Sequence, residues 1–447
     1  MTAESAARTD PADSWPWRSR WRAWRSPDAL IRTADLLAAM IAASLPWSTT
    51  APSIFVGLWL LAVTPSIGWR DYARSLAEPA LALPFAILLL ALVGILWSDG
   101  AWADRLHAIK PVAKLVLIPP LLYHFRRSEH GMWVCVAFLV SCALLAVFSW
   151  IVLLHPAWKI SATASAGVPV KNYIDQSQEF TLCAFALALP ALRFWRARQV
   201  GATIACLALI LLFVTNMVFV ASARTALLCI VVLLGLFAWR HLSRRAALFL
   251  LTGAVAASAL AWTASPYLRQ RITDISVEYQ HGHEDISHAS TAQRLTYWRK
   301  SALAFTEAPL LGHGTGSIKR QFERAATGRS DLDVEIVNNP HNQTLNVAVQ
   351  WGLVGVALLY AMWLTHLRLF ADEELAAWIG LVVVVQNIAS SLLNSHLFDF
   401  HEGWMYVLGV GVAGGMALRA RTPAGDDYWL RSWPTSPVMT SPNSSQA

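Results

Sequence analysis

The sequence predicts an all-α, polytopic integral membrane protein of about twelve transmembrane helices, interrupted by one large outer loop that contains helices of its own. Three observations carry this: an apolar composition, a series of membrane-length apolar runs, and arginines that recur at alternate ends of those runs. Of the 447 residues, 56% are hydrophobic and only 14% charged, and the mean hydropathy is +0.44. A soluble domain of this length carries nearer a quarter charged residues.

A helix needs about 20 apolar residues to cross a bilayer. Candidate spans lie near 29–46, 51–69, 79–97, 111–125, 131–154, 178–195, 199–220, 223–240, 246–263, 344–366, 375–395 and 403–418. The first is short and carries Arg32, and the fourth is expected to be broken by Pro119-Pro120. With a cytoplasmic N-terminus, the inside segments hold Arg18, Arg20, Arg22 and Arg25, then Arg70 and Arg74, Arg126 and Arg127, Arg193, Arg196 and Arg198, Arg240, Arg244 and Arg245, Arg368, and finally Arg419, Arg421 and Arg431. The outside turns hold few cations. This alternation follows the positive-inside rule and puts both termini in the cytoplasm. The expected division is a cytoplasmic segment 1–28, nine spans over 29–263, an outer loop 264–343, three spans over 344–418 and a disordered cytoplasmic tail 419–447.

The net charge of +7 does not point to nucleic acid, because the basic residues sit in short clusters at the ends of apolar runs. All five cysteines fall inside those runs, so no disulfide or zinc framework is expected. The Trp/Arg-rich stretch from Trp15 to Arg25 lacks the apolar core and cleavage site of a signal peptide and reads as an interfacial anchor.

Within the outer loop, Ser290-Thr-Ala-Gln293 resembles a capping box, and Leu295, Trp298, Ala302 and Phe305 recur at helical spacing until Pro309. A helix over 291–307 with that stripe turned down is expected. The glycine-rich turn Gly312 to Gly316 is a candidate phosphate cradle, with plain flexibility the simpler reading. His281, His283, Glu284, Asp285 and His288 are candidate metal ligands, with a solvated loop the favoured reading, and Asp331 and Asp333 resemble a metal-binding pair that any two acids in a polar loop would imitate.

The loop closes on Asn338-Asn339-Pro340-His341-Asn342 ahead of an apolar run. Asn339 as N-cap and Pro340 at the first helical position would put His341 in the first turn, where the helix dipole keeps an imidazole neutral and able to accept a proton. Arg224 heads the eighth span on the outer side, where an arginine is unexpected: either it snorkels to headgroups, or with the helix amides it forms an anion site for phosphate or pyrophosphate. Arg294 flanks the amphipathic stripe, and Lys171 stands at the edge of the smaller outer loop 155–177. His396, Asp399, His401 and Glu402 crowd the last outer turn, either as a hydrated turn or as groups that orient His341.

Three blocks together resemble the bacterial O-antigen ligase and polymerase superfamily. They are Ser222-Ala-Arg224-Thr-Ala; Arg294-x3-Trp298 running on to Phe305-x3-Pro309-Leu-Leu-Gly312-x-Gly314; and Pro340-His341-Asn342 followed, after nine residues, by Gly352-x2-Gly355. Ala223 stands where the family commonly has Ser. The resemblance implies a polytopic glycosyltransferase of GT-C-like type in the bacterial inner membrane, with a periplasmic active site and no cofactor or metal. It would transfer O-antigen polysaccharide from undecaprenyl pyrophosphate to a sugar hydroxyl of lipid A-core. On that reading His341 is the general base, and Arg224, Arg294 and Lys171 bind the pyrophosphate. The expected partners are the lipid-linked glycan donor, the lipid A-core acceptor and membrane lipids, with no nucleic acid. The alternatives are a polymerase using a lipid-linked acceptor, a protein O-oligosaccharyltransferase, and, from another class, a lipid or solute transporter. The transporter fits less well because the span centres carry almost no charge.

Overall fold

The computed structural model describes residues 27–162, 165–270, 272–273, 290–327 and 335–421. Among these no strand occurs, as expected of a chain whose backbone must satisfy its hydrogen bonds within a bilayer. The helices are α1 (Pro27–Ser44), α2 (Thr50–Val63), α3 (Trp69–Ser75), α4 (Pro79–Val93), α5 (Trp102–Ala113), α6 (Ile118–Arg127), α7 (Gly131–Leu154), α8 (Tyr173–Arg196), α9 (Val200–Phe219), α10 (Arg224–His241), α11 (Arg244–Ala264), α12 (Ser290–Glu307), α13 (Ile318–Ala326), α14 (Gln343–Leu369), α15 (Leu375–Ser390) and α16 (Phe400–Arg421).

Each of the twelve expected spans falls on a helix, and among the described residues six helical segments are long and apolar enough to cross a bilayer by themselves. The chain is thus a multi-pass membrane protein. The bent pair α2 and α3, which turns through 108°, adds a seventh if it is counted as one span. The fourth span differs from expectation. Helix runs from Trp102 to Arg127 through a 3-10 turn at Lys114–Leu117, so much of the expected outer loop 98–110 is helical. Pro119 and Pro120 do not break it, because they occupy the first turn of α6, where a missing N–H costs nothing.

At the centre stands α16, packed against α6 and α15 and buried around nearly its whole circumference. A helix apolar on all sides is what such a position demands. Its glycines permit the close fit: a Cβ at Gly411 would lie 2.5 Å from Leu121 Cβ. At the opposite extreme α11 buries no residue and touches the bundle chiefly through α10.

The arginines that alternate along the sequence collect at one end of the bundle. Arg193 donates to Glu373 O, Arg196 to His241 O, Arg240 to Asp372 O, and Arg421 to Asp372 Oδ2 and Leu369 O. These groups satisfy the carbonyls that the helix C-termini leave open. At the other end α8, α10, α14 and α16 begin and α15 finishes, and the candidate site is assembled there.

Helix α14 is broken in its middle, and the break locks the glycine blocks together. Gly352 has φ of +57°, outside helical geometry. The amides of Leu353 and Val354 bond Pro309 O and Leu310 O, while Val349 O and Gln350 O accept from His313 N and Gly314 N. A Cβ at Gly352 would meet Leu310 carbonyl atoms at 2.4 Å, and one at Gly312 would meet the Gln350 carbonyl carbon at 2.5 Å. Glycine is therefore required at both positions by close backbone approach as well as by positive φ.

Candidate active site

His341 does not lie in the first turn of α14. The N-cap is Asn342, whose side chain accepts from Leu345 N, and the helix begins at Gln343. Asn339 instead accepts from His341 N at 2.9 Å and from Ser395 Oγ at 2.7 Å, so it caps the bend that precedes the helix. The expected cap and the observed one are both asparagines, and the choice falls three residues later because Pro340 is used in the loop. His341 takes φ of +54°, an uncommon and costly conformation for a side-chain-bearing residue, of order 1–3 kcal/mol. Its surroundings hold it there. Trp298 Nε1 donates to His341 O at 3.4 Å, Tyr297 stacks on the imidazole at 6.1 Å and 26°, and Nδ1 lies 2.8 Å from Asn394 Oδ1.

Asn394 is in turn held by Asp399, its Nδ2 donating to Oδ2 at 3.0 Å. Lys114 reaches across from the α5–α6 junction and donates to the backbone carbonyls of Phe398 and Asp399, fixing the turn that carries the carboxylate. Burial pushes the Asp399 carboxyl up to about 6, with Lys114 pulling the other way. For His341 burial is also the main influence and lowers the imidazole below its usual value; the Asn394 contact opposes this, Arg294 adds to it, and Glu335 opposes it. A half-buried imidazole beside a guanidinium is disfavoured in its charged form. The neutrality expected of His341 thus has a different source, desolvation in place of a helix dipole.

The last turn of the rim is a buried polar cluster, not a hydrated loop. His396, His401 and Glu402 are all buried. His401 Nδ1 lies 2.7 Å from Asp175 Oδ2, and His396 Nε2 lies 4.0 Å from Glu402 Oε1. Burial takes His396 down to about 3, and its other neighbours include Asp175, Arg294 and His341. Asp175 escapes a reading of the sequence, because the start of α8 at Tyr173 is hidden in what looks like a loop. Asn394 escapes it too: an amide at the end of an apolar run carries no signal until its partners are known.

Arg224 is the first residue of α10. The segment before it is pinned from two sides, by Ser177 Oγ accepting from Ala223 N at 3.1 Å and by Tyr267 Oη accepting from Ser222 N at 2.8 Å. Ser177 is two residues from Asp175, so the Arg224 turn and the His401–Asp175 pair share one end of α8. Arg294 lies on α12, one turn before Trp298, near enough to His341 and His396 to act on both imidazoles. The structure therefore brings His341, Arg294 and the head of α10 to the same rim of the bundle. Lys171 faces inward, donating to Leu45 O and pairing with Glu179 Oε1 at 3.6 Å.

Two expectations change. The buried face of α12 is formed by Tyr297, Lys300, Ser301 and Ala304, while Leu295 and Ala302 are exposed, because the helix is clamped by His341 and by Phe322 of α13. The glycine turn is not a phosphate cradle. Its amides are already committed: Gly312 to Ala308 O, His313 to Val349 O, Gly314 to Gln350 O, Thr315 to Gly94 O and Gly316 to Gln350 Oε1. The candidate metal ligands from His281 to His288, with Asp331 and Asp333, lie outside the described residues.

No curated protein gives a significant match to the chain. Residues 207–360, which run from α9 into α14 and include Arg224, Arg294 and His341, match the family described as O-Antigen ligase, which supports the resemblance to the O-antigen ligase superfamily.

Proposed function

We propose that the protein is an O-antigen ligase, which moves O-antigen polysaccharide from undecaprenyl pyrophosphate to a sugar hydroxyl of lipid A-core at the periplasmic face of the inner membrane. The observation that carries this is a half-buried imidazole, lowered in basicity below the ordinary histidine value, at the same rim as Arg294 and the arginine-headed end of α10. His341 accepts the proton of the acceptor hydroxyl as that oxygen attacks the anomeric carbon. The bond from the anomeric carbon to the phosphate oxygen breaks, its electron pair leaves with undecaprenyl pyrophosphate, and attack from the opposite face inverts the anomeric centre. Arg224 and Arg294 hold the diphosphate and neutralise the charge that grows on it, the kind of preorganised electrostatic help that dominates such transfers. The N-termini of α8, α10, α14 and α16 add partial positive charge at the same rim. Lys171, tied to Glu179, contributes its charge from one step further back.

Beside His341 opens a cleft whose lining includes Asp104, His107, Asn338, Asn339, Gln350 and Asp399. Amides and carboxylates in such numbers suit a sugar, whose hydroxyls both donate and accept, and the acceptor saccharide is the occupant that fits the ligase reading. The test is an assay of purified protein with lipid-linked glycan and lipid A-core, with and without a chelator. Glycan joined to lipid A-core in both arms supports the metal-independent ligase. No such product, together with longer chains on the lipid carrier, shows a polymerase instead.

A further inference from the structure

We propose that Asn394 is a positioning residue for His341: it presets the imidazole as the tautomer protonated on Nδ1, so that Nε2 is the nitrogen that takes the proton, and Asp399 fixes Asn394 in the orientation that does this. The proposal rests on His341 being the base and goes beyond it by naming the nitrogen and what selects it.

An asparagine amide is ordinarily ambiguous, since its oxygen and nitrogen are hard to tell apart. Here the chain of bonds removes the ambiguity. Above about pH 6, where Asp399 is ionised, its carboxylate is an acceptor only, so the Asn394 atom 3.0 Å from Asp399 Oδ2 must be the NH₂ group. The oxygen then faces His341 Nδ1 at 2.8 Å, and an oxygen without a proton can only accept. Nδ1 must therefore carry the hydrogen, and Nε2 keeps its lone pair. The ring plane is held by Tyr297, and the backbone beneath it by Asn339 and Trp298, so Asn394 has one clear task left.

An amide at this position does something a carboxylate would not. A carboxylate against Nδ1 favours the imidazolium, whereas a neutral amide orients the ring without adding negative charge. The other charged or titratable groups facing His341 are Arg294 and Tyr297 of α12, Glu335 of the loop before α14, and His396 of the turn before α16; Asp399 acts through the Asn394 amide. Removing the amide or replacing it with a carboxylate should thus leave different marks on the rate.

The experiment measures kcat, the donor KM and the pH profile of transfer for the purified protein and for Asn394→Leu and the nearly isosteric Asn394→Asp, with His341→Ala as the reference for the base itself. A base must be unprotonated, so activity rises with pH through its pKa. Asn394→Leu is expected to lower kcat on the order of 10²-fold, the cost of a misplaced reacting group, with the donor KM unchanged. Asn394→Asp, whose carboxyl shares a proton with Asp399 3.0 Å away and still accepts from Nδ1, is expected to keep substantial kcat and to move the acid limb of the profile upward. An acid limb in Asn394→Asp that coincides with that of the unsubstituted protein overturns the proposal, and so does full kcat in Asn394→Leu. If His341→Ala still transfers glycan, the base assignment itself has failed; if it is inactive while the Asn394 variants behave as the unsubstituted protein, only the positioning role is lost.

Discussion

At His341 the ring and the backbone are set by different neighbours, and each leaves a measurable trace. Replacing His341 with Ala removes the proton acceptor and is expected to abolish transfer while the protein still migrates as a folded species in detergent; retained turnover would take the histidine out of the mechanism. Because burial lowers the imidazole, the acid limb of the unsubstituted pH profile is expected below 6.5, the ordinary value, with activity lost as pH falls through it. An acid limb above 6.5 would mean that the charged form is favoured, against the geometry described. For Arg224→Ala the loss belongs to the donor: a charge-assisted hydrogen bond is worth ~1.5–3 kcal/mol, so the donor KM is expected to rise about ten- to hundredfold with the acceptor KM unchanged. Rate measurements at varied donor concentration decide it. Some of this site is visible in the sequence alone, since an arginine at the head of a span and a histidine after Asn-Pro violate the local pattern of their surroundings. Asp175 and Asn394 violate nothing local. Their meaning comes from His401 and His341, each more than fifty residues away, and no periodicity encodes that.

At the scale of elements, the glycine blocks show how far spacing alone can mislead. Gly312 to Gly316 has the composition of an anion-binding turn, yet the broken middle of α14 consumes its amides, and the same break explains why Gly352 stands where it does. The two blocks are one structural joint, which carries α12 back onto α14 and so sets where Arg294 and Trp298 sit relative to His341. Gly352→Ala is expected to destabilise the protein by about 1–3 kcal/mol from the positive φ, and by more from the contact with Leu310, lowering the thermal unfolding midpoint in detergent. Gly57→Ala in α2 is the matched control. Nothing lies within 4 Å of a Cβ there and the helix is regular, so stability is expected to stay the same or rise by about 0.5–1 kcal/mol. Equal midpoints for the two variants would remove the joint from the account. The helices themselves were largely legible because apolar length is a one-dimensional signal. The exception, α5 and α6, failed because a Pro-Pro pair reads as a break unless its place in the first turn is known.

For the whole molecule, the arrangement of charge ties topology to chemistry. Arg193, Arg196, Arg240 and Arg421, separated along the chain, converge on the carbonyls around Asp372 or on a neighbouring helix end, while His341, Arg294 and the head of α10 occupy the far rim. If the arginine-rich rim is cytoplasmic, as the positive-inside rule requires, the base and the diphosphate-binding groups face the compartment where lipid-linked glycan meets lipid A-core. Single cysteines test this directly, because four of the five native cysteines are buried and Cys135 is partly so, which keeps the background low. Glu307, exposed at the end of α12, and Glu373, exposed between α14 and α15, mark the two rims. In cells with an intact inner membrane and a permeabilised outer one, a membrane-impermeant maleimide is expected to label Glu307→Cys at once. Glu373→Cys should react only after the inner membrane is opened. The reverse pattern would turn the site toward the cytoplasm, where a ligase has no acceptor, and would end the proposed reaction while leaving the fold untouched. Labelling of both positions without permeabilisation would show that the two rims do not lie on opposite sides of the membrane, and the division of charge described for the bundle would then have no topological meaning.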